Sequence, residues 1–224
     1  MPTNYPTSLD NFTNPTANDS LNLPSHSTQH ANANDAIEAI EAKLGVGNAD
    51  KVGWYHISSS SVTAASTVAF DNVFTSNYEN YAIVFSGRSV SASGTSTQLR
   101  AKFRTGGVAN SNSNYAYVVT QATSANTGPT NRAWSTGAAE IELVDMDSAA
   151  NRNNGITLHV YSPQITQYTR WDFLSSVASS GSTVIGYQIS GGAFTNTTVF
   201  DGIQFNLTSG TITGVFSVYG LRNA

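Results

Sequence analysis

The apolar positions of this chain change period twice. Over residues 1–32 they follow none: Tyr5, Leu9, Phe12, Leu21 and Leu23 stand isolated among Ser, Thr, Asn and Pro. Pro2, Pro6, Pro15 and Pro24 are spaced along the same stretch, which predicts an extended arm unable to build a core of its own. The five isolated apolar residues are candidate anchors on another chain. A tail without fixed structure is the plainer alternative.

From Ala33 the pattern becomes helical. Ala33, Ile37, Ile40 and Leu44 recur at alternating steps of four and three, the spacing of a coiled-coil seam. Asp35 and Glu38 read as a capping box and Gly45 as a C-terminal cap. A helix of about ten residues is marginal alone, because nucleation is costly. It is therefore expected to pack against copies of itself, and isoleucine at successive seam positions favours three strands or more. The alternative is a short helix lying on its own domain. Residues 33–52 are thus expected to be a short trimerising helix and hinge.

From residue 53 to residue 224 the period is two. Candidate strands are 54–60, 62–70, 81–87, 97–105, 115–122, 138–146, 155–162, 168–177, 183–190, 199–207 and 211–220, separated by turn clusters. Leu99, Ala101 and Phe103 oppose Gln98, Arg100, Lys102 and Arg104; Ile141 and Leu143 oppose Glu140 and Glu142; Ile203, Phe205 and Leu207 oppose Gln204 and Asn206. Gly106-Gly107 and Gly191-Gly192 read as turns. The expected fold is mainly β, an antiparallel β-sandwich of jelly-roll type behind an extended arm and a short coiled-coil helix. No fixed-period repeat points to a solenoid or propeller.

Composition narrows the function classes. Charged residues make up 11% of the 224 positions, against about 25% in an ordinary soluble domain. The surface is expected to be hydroxyl and amide. A net charge of −4 leaves no electrostatic footprint for nucleic acid or an anionic membrane. The absence of cysteine excludes disulfides and thiol chemistry. Neither a signal-peptide pattern nor an apolar run long enough to span a membrane occurs, so neither secretion nor membrane insertion is expected.

Catalytic and metal readings are each met by a plainer one. Glu140 and Glu142 sit about 7 Å apart by strand rise, a spacing open to a glycosidase. However, an alternating strand face and the row Arg100, Lys102, Arg104 favour ion pairing. His26 and His30 would share a face and could hold a metal if their segment were helical; in an extended arm, polar contacts are the preferred reading. Asp145 and Asp147 near Asn151, Asn153 and Asn154 read as a turn rather than a calcium loop. His56 and His159 read as hydrogen-bonded strand residues. No nucleophile elbow or phosphate-cradling loop is present. The protein is expected to be no enzyme and to need no metal or cofactor.

One family resemblance is specific. Tyr5-Pro6-Thr7-Ser8-Leu9-Asp10, then His26-Ser27-Thr28-Gln29-His30-Ala31-Asn32, then the acidic helix to Gly47 resemble the leader of bacteriophage tail-fibre and related virion appendage proteins. The likeness covers about a fifth of the chain. Phe74-Thr75-Ser76-Asn77-Tyr78-Glu79-Asn80-Tyr81 and Gly214-Val215-Phe216-Ser217-Val218-Tyr219-Gly220 resemble pieces of phage appendage β-domains more weakly. The resemblance implies a structural virion protein, made in a host cytoplasm. It also implies a trimeric fibre or spike, held to another virion protein through the arm and touching the host surface through its β-domain. The alternatives are a capsid or tail decoration protein with a stabilising role only, and a surface-glycan depolymerase.

Strand parity supplies the candidate contact residues. If every strand crosses the sandwich, the links near 61, 88–96, 123–137, 163–167 and 191–198 share the end far from the helix. They offer Arg88, Asn131, Arg132, Trp134, Gln164, Phe194 and Asn196, the mix of aromatic faces and planar polar groups that holds sugars. The competing reading places Trp134 and Phe194 in the core or between subunits.

Overall fold

In the computed structural model the described residues are 25–44, 53–90, 97–124, 128–146, 153–178 and 185–221. Tyr5, Leu9, Phe12, Leu21 and Leu23 lie outside them, as does the side chain of Leu44. The chain divides into two compact units, Met1–Tyr55 and His56–Ala224.

In the first unit the helix α1 runs His26–Leu44, so residues 26–32, expected in the extended arm, are helical. The Ser25 hydroxyl oxygen accepts the backbone N–H of Thr28 at 3.2 Å, which satisfies one of the orphan donors of the first turn. The cap is therefore Ser25, and Asp35 and Glu38 are interior residues. Their polar predecessors carry no apolar period, so nothing in the pattern extends the helix backwards. Ile37 and Ile40 are 54% and 46% exposed.

The second unit is mainly β. Its strands, with the start of the first reaching back across the division, are β1 (Trp54–Ala65), β2 (Thr67–Phe70), β3 (Asn80–Val90), β4 (Thr97–Thr105), β5 (Val108–Ala109), β6 (Tyr115–Thr123), β7 (Thr130–Ala138), β8 (Ile141–Met146), β9 (Asn154–Tyr161), β10 (Arg170–Ala178), β11 (Ile185–Phe194), β12 (Gly202–Leu207) and β13 (Thr211–Leu221). They form an eight-stranded sheet, β1-β13-β3-β9-β10-β11-β6-β7, and a five-stranded sheet, β2-β12-β4-β5 with β8 also paired to β4. Pairings among β2–β13 are antiparallel.

The inward residues of both sheets meet in one core. Phe205 of the smaller sheet lies 4.8 Å from Phe216 of the larger, ring centre to ring centre, and Phe216 stacks on Phe85 at 4.2 Å. At the other end Phe103 packs against Tyr115 and Trp171, at 5.9 and 5.8 Å. Burial of each large ring is worth about 1.5–3 kcal/mol, so this aromatic seam is the main cohesive element. The Tyr115 hydroxyl accepts the Phe103 N–H and donates to the Asn110 carbonyl, at 2.9 and 3.1 Å. A buried phenol is tolerated because both roles are filled.

Three expectations about the strands change. The first two strands divide at Ser66 rather than at Ser61, beside Ala64 with φ of 52°. Residues 130–137, expected to be a link, form β7 together with Ala138. Gly191 and Gly192 lie within β11 and make no turn. Gly106-Gly107 does turn, joining Thr105 to its partner Val108 with both φ values positive, as a two-residue hairpin requires. Gly192 has a packing role instead: a Cβ there would stand 2.5 Å from both the Ala116 carbonyl oxygen and Trp171 Cζ2.

Candidate functional site

The residues expected to cluster at one end of the sandwich do not. By register, Arg88 pairs with Thr213 and Asn131 with Thr120. Both lie toward the end of the larger sheet where β3 and β6 finish. Gln164, Phe194 and Asn196 lie at the opposite end, near the start of β10. The unforeseen β7 reverses the parity of everything after it. Phe194 is wholly buried, 4.9 Å from Tyr115 and 5.0 Å from Phe200. It is a core residue, the competing reading of the sequence. Gln164 donates to the Phe200 carbonyl, and Asn196 is exposed, its side-chain oxygen accepting the Thr197 N–H at 2.6 Å.

Arg132 is also removed from solvent. Its Nε and Nη2 donate to the two oxygens of Asp145, at 2.8 and 2.6 Å, and its Nη1 donates to Glu142. Its side chain is 13% exposed. A register shift between Val119 and Thr120 inserts it as an extra residue in β7, the device by which a bulge re-aims a side chain. Gln188, fully buried, joins the network through Asp145 and Gln121. Glu140 meets Arg100 at 2.5 Å and Lys102 at 3.6 Å. Glu140, just before β8, and Glu142 within it are thus both held by cations, the ion-paired reading of the sequence. Asp145, the described aspartate of the calcium alternative, is committed to Arg132.

Trp134 is different. It is 73% exposed, on β7 at the edge of the larger sheet. The outer face of that sheet places Asp172, Gly191, Val118 and Trp134 in one row across four adjacent strands. The flanking row holds Arg170, Ala193 and Ala116, and His159 and Tyr161 follow on β9 beside Asp172 and Arg170. Above Gly191 a Cβ would meet nothing nearer than 3.8 Å. The small residues Gly191, Ala193 and Ala116 therefore floor a shallow trough. Val118 and Trp134 form one wall, and Asp172, Arg170, His159 and Tyr161 form the other. At strand spacing Val118 stands about 10 Å from Asp172 across the trough, and Trp134 about 14 Å from it.

The polar wall is internally organised. Asp172 accepts from the Tyr161 hydroxyl at 2.5 Å and meets His159 Nδ1 at 2.9 Å. Burial, with the Asp172 hydrogen bond adding to it, pushes the Tyr161 hydroxyl up to about 12, so it stays a donor at any ordinary pH. On the other side of the row, Leu174, Ile189 and Tyr187 are 59%, 43% and 42% exposed. With Val118 and Trp134 in the neighbouring row they put five large exposed apolar side chains on this outer face, and such exposure marks contact sites. Sequence reasoning found Trp134 but missed its companions, because Asp172, Gly191 and Val118 are distant in the chain and only β-pairing aligns them.

No family model, curated protein or solved structure matches the chain. No group of three or more His, Asp or Glu residues capable of holding a metal occurs among the described residues. No described helix is long and apolar enough to cross a membrane.

Proposed function

We propose that the chain is a structural bacteriophage virion protein, a non-enzymatic tail-fibre or spike appendage that contacts a host-surface glycan through its β-domain. The single observation that carries the glycan reading is the trough. It offers an open aromatic face at Trp134 opposite a wall of aligned donors and acceptors, the arrangement that grips the apolar face and hydroxyl rim of a sugar. The leader at Asn4–Gly47 supports the virion assignment. The exposure of Ile37 and Ile40 supports a homotrimer through a coiled-coil α1, with the arm bound to another virion protein. Nesting of β13 against β3 and of β12 against β4 supports a jelly-roll-like winding of the sandwich. Three weak sites on one trimer gain affinity through effective concentration without any one being tight.

The test is binding of labelled full-length protein to host cells, with free cell-envelope polysaccharide as competitor. Saturable binding that the polysaccharide displaces, and that falls about 30-fold or more in Trp134→Ala as an aromatic hot spot should, supports the reading. Binding unaffected by the substitution removes the trough from it. Absence of any binding by a folded protein favours a decoration role.

A further inference from the structure

Two histidines face each other on the first turns of α1. His26 Nε2 and His30 Nε2 face each other at 3.0 Å, with the rings edge-on at 4.4 Å. Both side chains are exposed. We propose that this pair is an intrachain chelate for a divalent transition metal of the copper or nickel type.

The spacing of the two ring nitrogens fits a two-point chelate. Two imidazole nitrogens each about 2.0–2.1 Å from an ion lie about 2.9 Å apart at a right angle, and about 3.4 Å apart at a tetrahedral angle. The observed 3.0 Å matches the right angle, which suits the square-planar or tetragonal preference of copper(II) and nickel(II) better than tetrahedral zinc. Affinity order reinforces the choice, since copper exceeds nickel and zinc at nitrogen sites.

Proton bookkeeping is simple. In the metal-free pair one Nε2–H donates to the other Nε2. With both rings in the Nδ1–H tautomer, both Nε2 lone pairs are available, and an ion can be held by them with no net loss of a proton. The helix supplies the spacing, because residues four apart stack on one face. The positive end of the helix dipole opposes a cation here, so the pair binds more weakly than it would in mid-helix. Remaining positions are left to water. The same steps of four and three carry the pair into Ala33, Ile37 and Ile40, but chelation requires one chain only, and it does not depend on the glycan reading.

The test is isothermal titration of the full-length protein with nickel(II) or copper(II) in a non-coordinating buffer. The expected result is one ion per chain, bound more tightly for copper than for nickel or zinc. Either His26→Ala or His30→Ala should weaken binding on the order of 10²-fold, the loss of one arm of a two-point attachment. The variant His56→Ala should bind the metal as the parent does. Circular dichroism confirms that each variant is folded. Unchanged affinity in His26→Ala/His30→Ala, or one ion per three chains, overturns the intrachain chelate.

Discussion

Arg132 separates a structural role from a recognition role, and replacing it by alanine shows which one governs. Its guanidinium makes a two-point contact with Asp145 and a third bond to Glu142, with side-chain exposures of 13%, 22% and 12% for the three groups. A surface ion pair would contribute no more than about 1 kcal/mol. Here the loss leaves two carboxylates on β8 facing each other with little water to stabilise them, a situation that costs about 3–5 kcal/mol. For a domain of this size each kcal/mol moves Tm by about 2–4 °C, so Arg132→Ala should melt roughly 6–20 °C lower. Arg132→Lys keeps the charge but loses the fork geometry and should fall between alanine and the parent. Arg100→Ala, at 31% exposure, should stay within about 1 kcal/mol. Urea unfolding with an unchanged m-value gives the comparison directly. If Arg132→Ala unfolds within 1 kcal/mol of the parent, the network sits effectively in water and the argument from burial fails.

Three further predictions use different parts of the molecule. Gly192→Ala drives a Cβ into the Ala116 carbonyl and the Trp171 ring and should lower stability by about 1–3 kcal/mol, readable by urea unfolding and by altered tryptophan emission. Tyr161→Phe should remove one phenolate transition near pH 12 from the absorbance titration, because the folded group is raised to about 12. Since the unfolded hydroxyl ionises near 10, its contribution is complete below about pH 10 and is lost as pH rises through 12. The variant should therefore show a shallower alkaline loss of stability. The double substitution Ile37→Asn/Ile40→Asn should shift the light-scattering mass from three chains to one; a trimer that survives it is not held by α1.

The parts of the fold legible in the sequence are those governed by local pattern. Alternation along 97–105 places Leu99, Ala101 and Phe103 inward with Arg100 and Lys102 opposite, and β4 does this. The hairpin at Gly106-Gly107 follows from two residues that adopt positive φ readily. The absence of a helical period after residue 53 follows from the same local rules, and so does the mainly β class. β7 was not legible: Thr130–Ala138 reads Thr-Asn-Arg-Ala-Trp-Ser-Thr-Gly-Ala, polar at most positions because an edge strand has one open side and little to bury. The start of α1 was hidden for a related reason, since a cap such as Ser25 stabilises turns that carry no apolar stripe.

What the chain determined by itself, then, is class and periodicity, because side-chain direction along a strand or helix depends only on near neighbours. Which residues face solvent together was decided by tertiary pairing. Phe194 and Trp134 are both aromatic residues in polar surroundings, yet one is sealed in the core and the other stands on an open edge. Arg132 and Arg170 are both cations near strand ends, yet a bulge turns the first inward, while β10 presents the second beside the trough. Contacts between residues far apart in sequence depend on register, and register is a property of the assembled sheets.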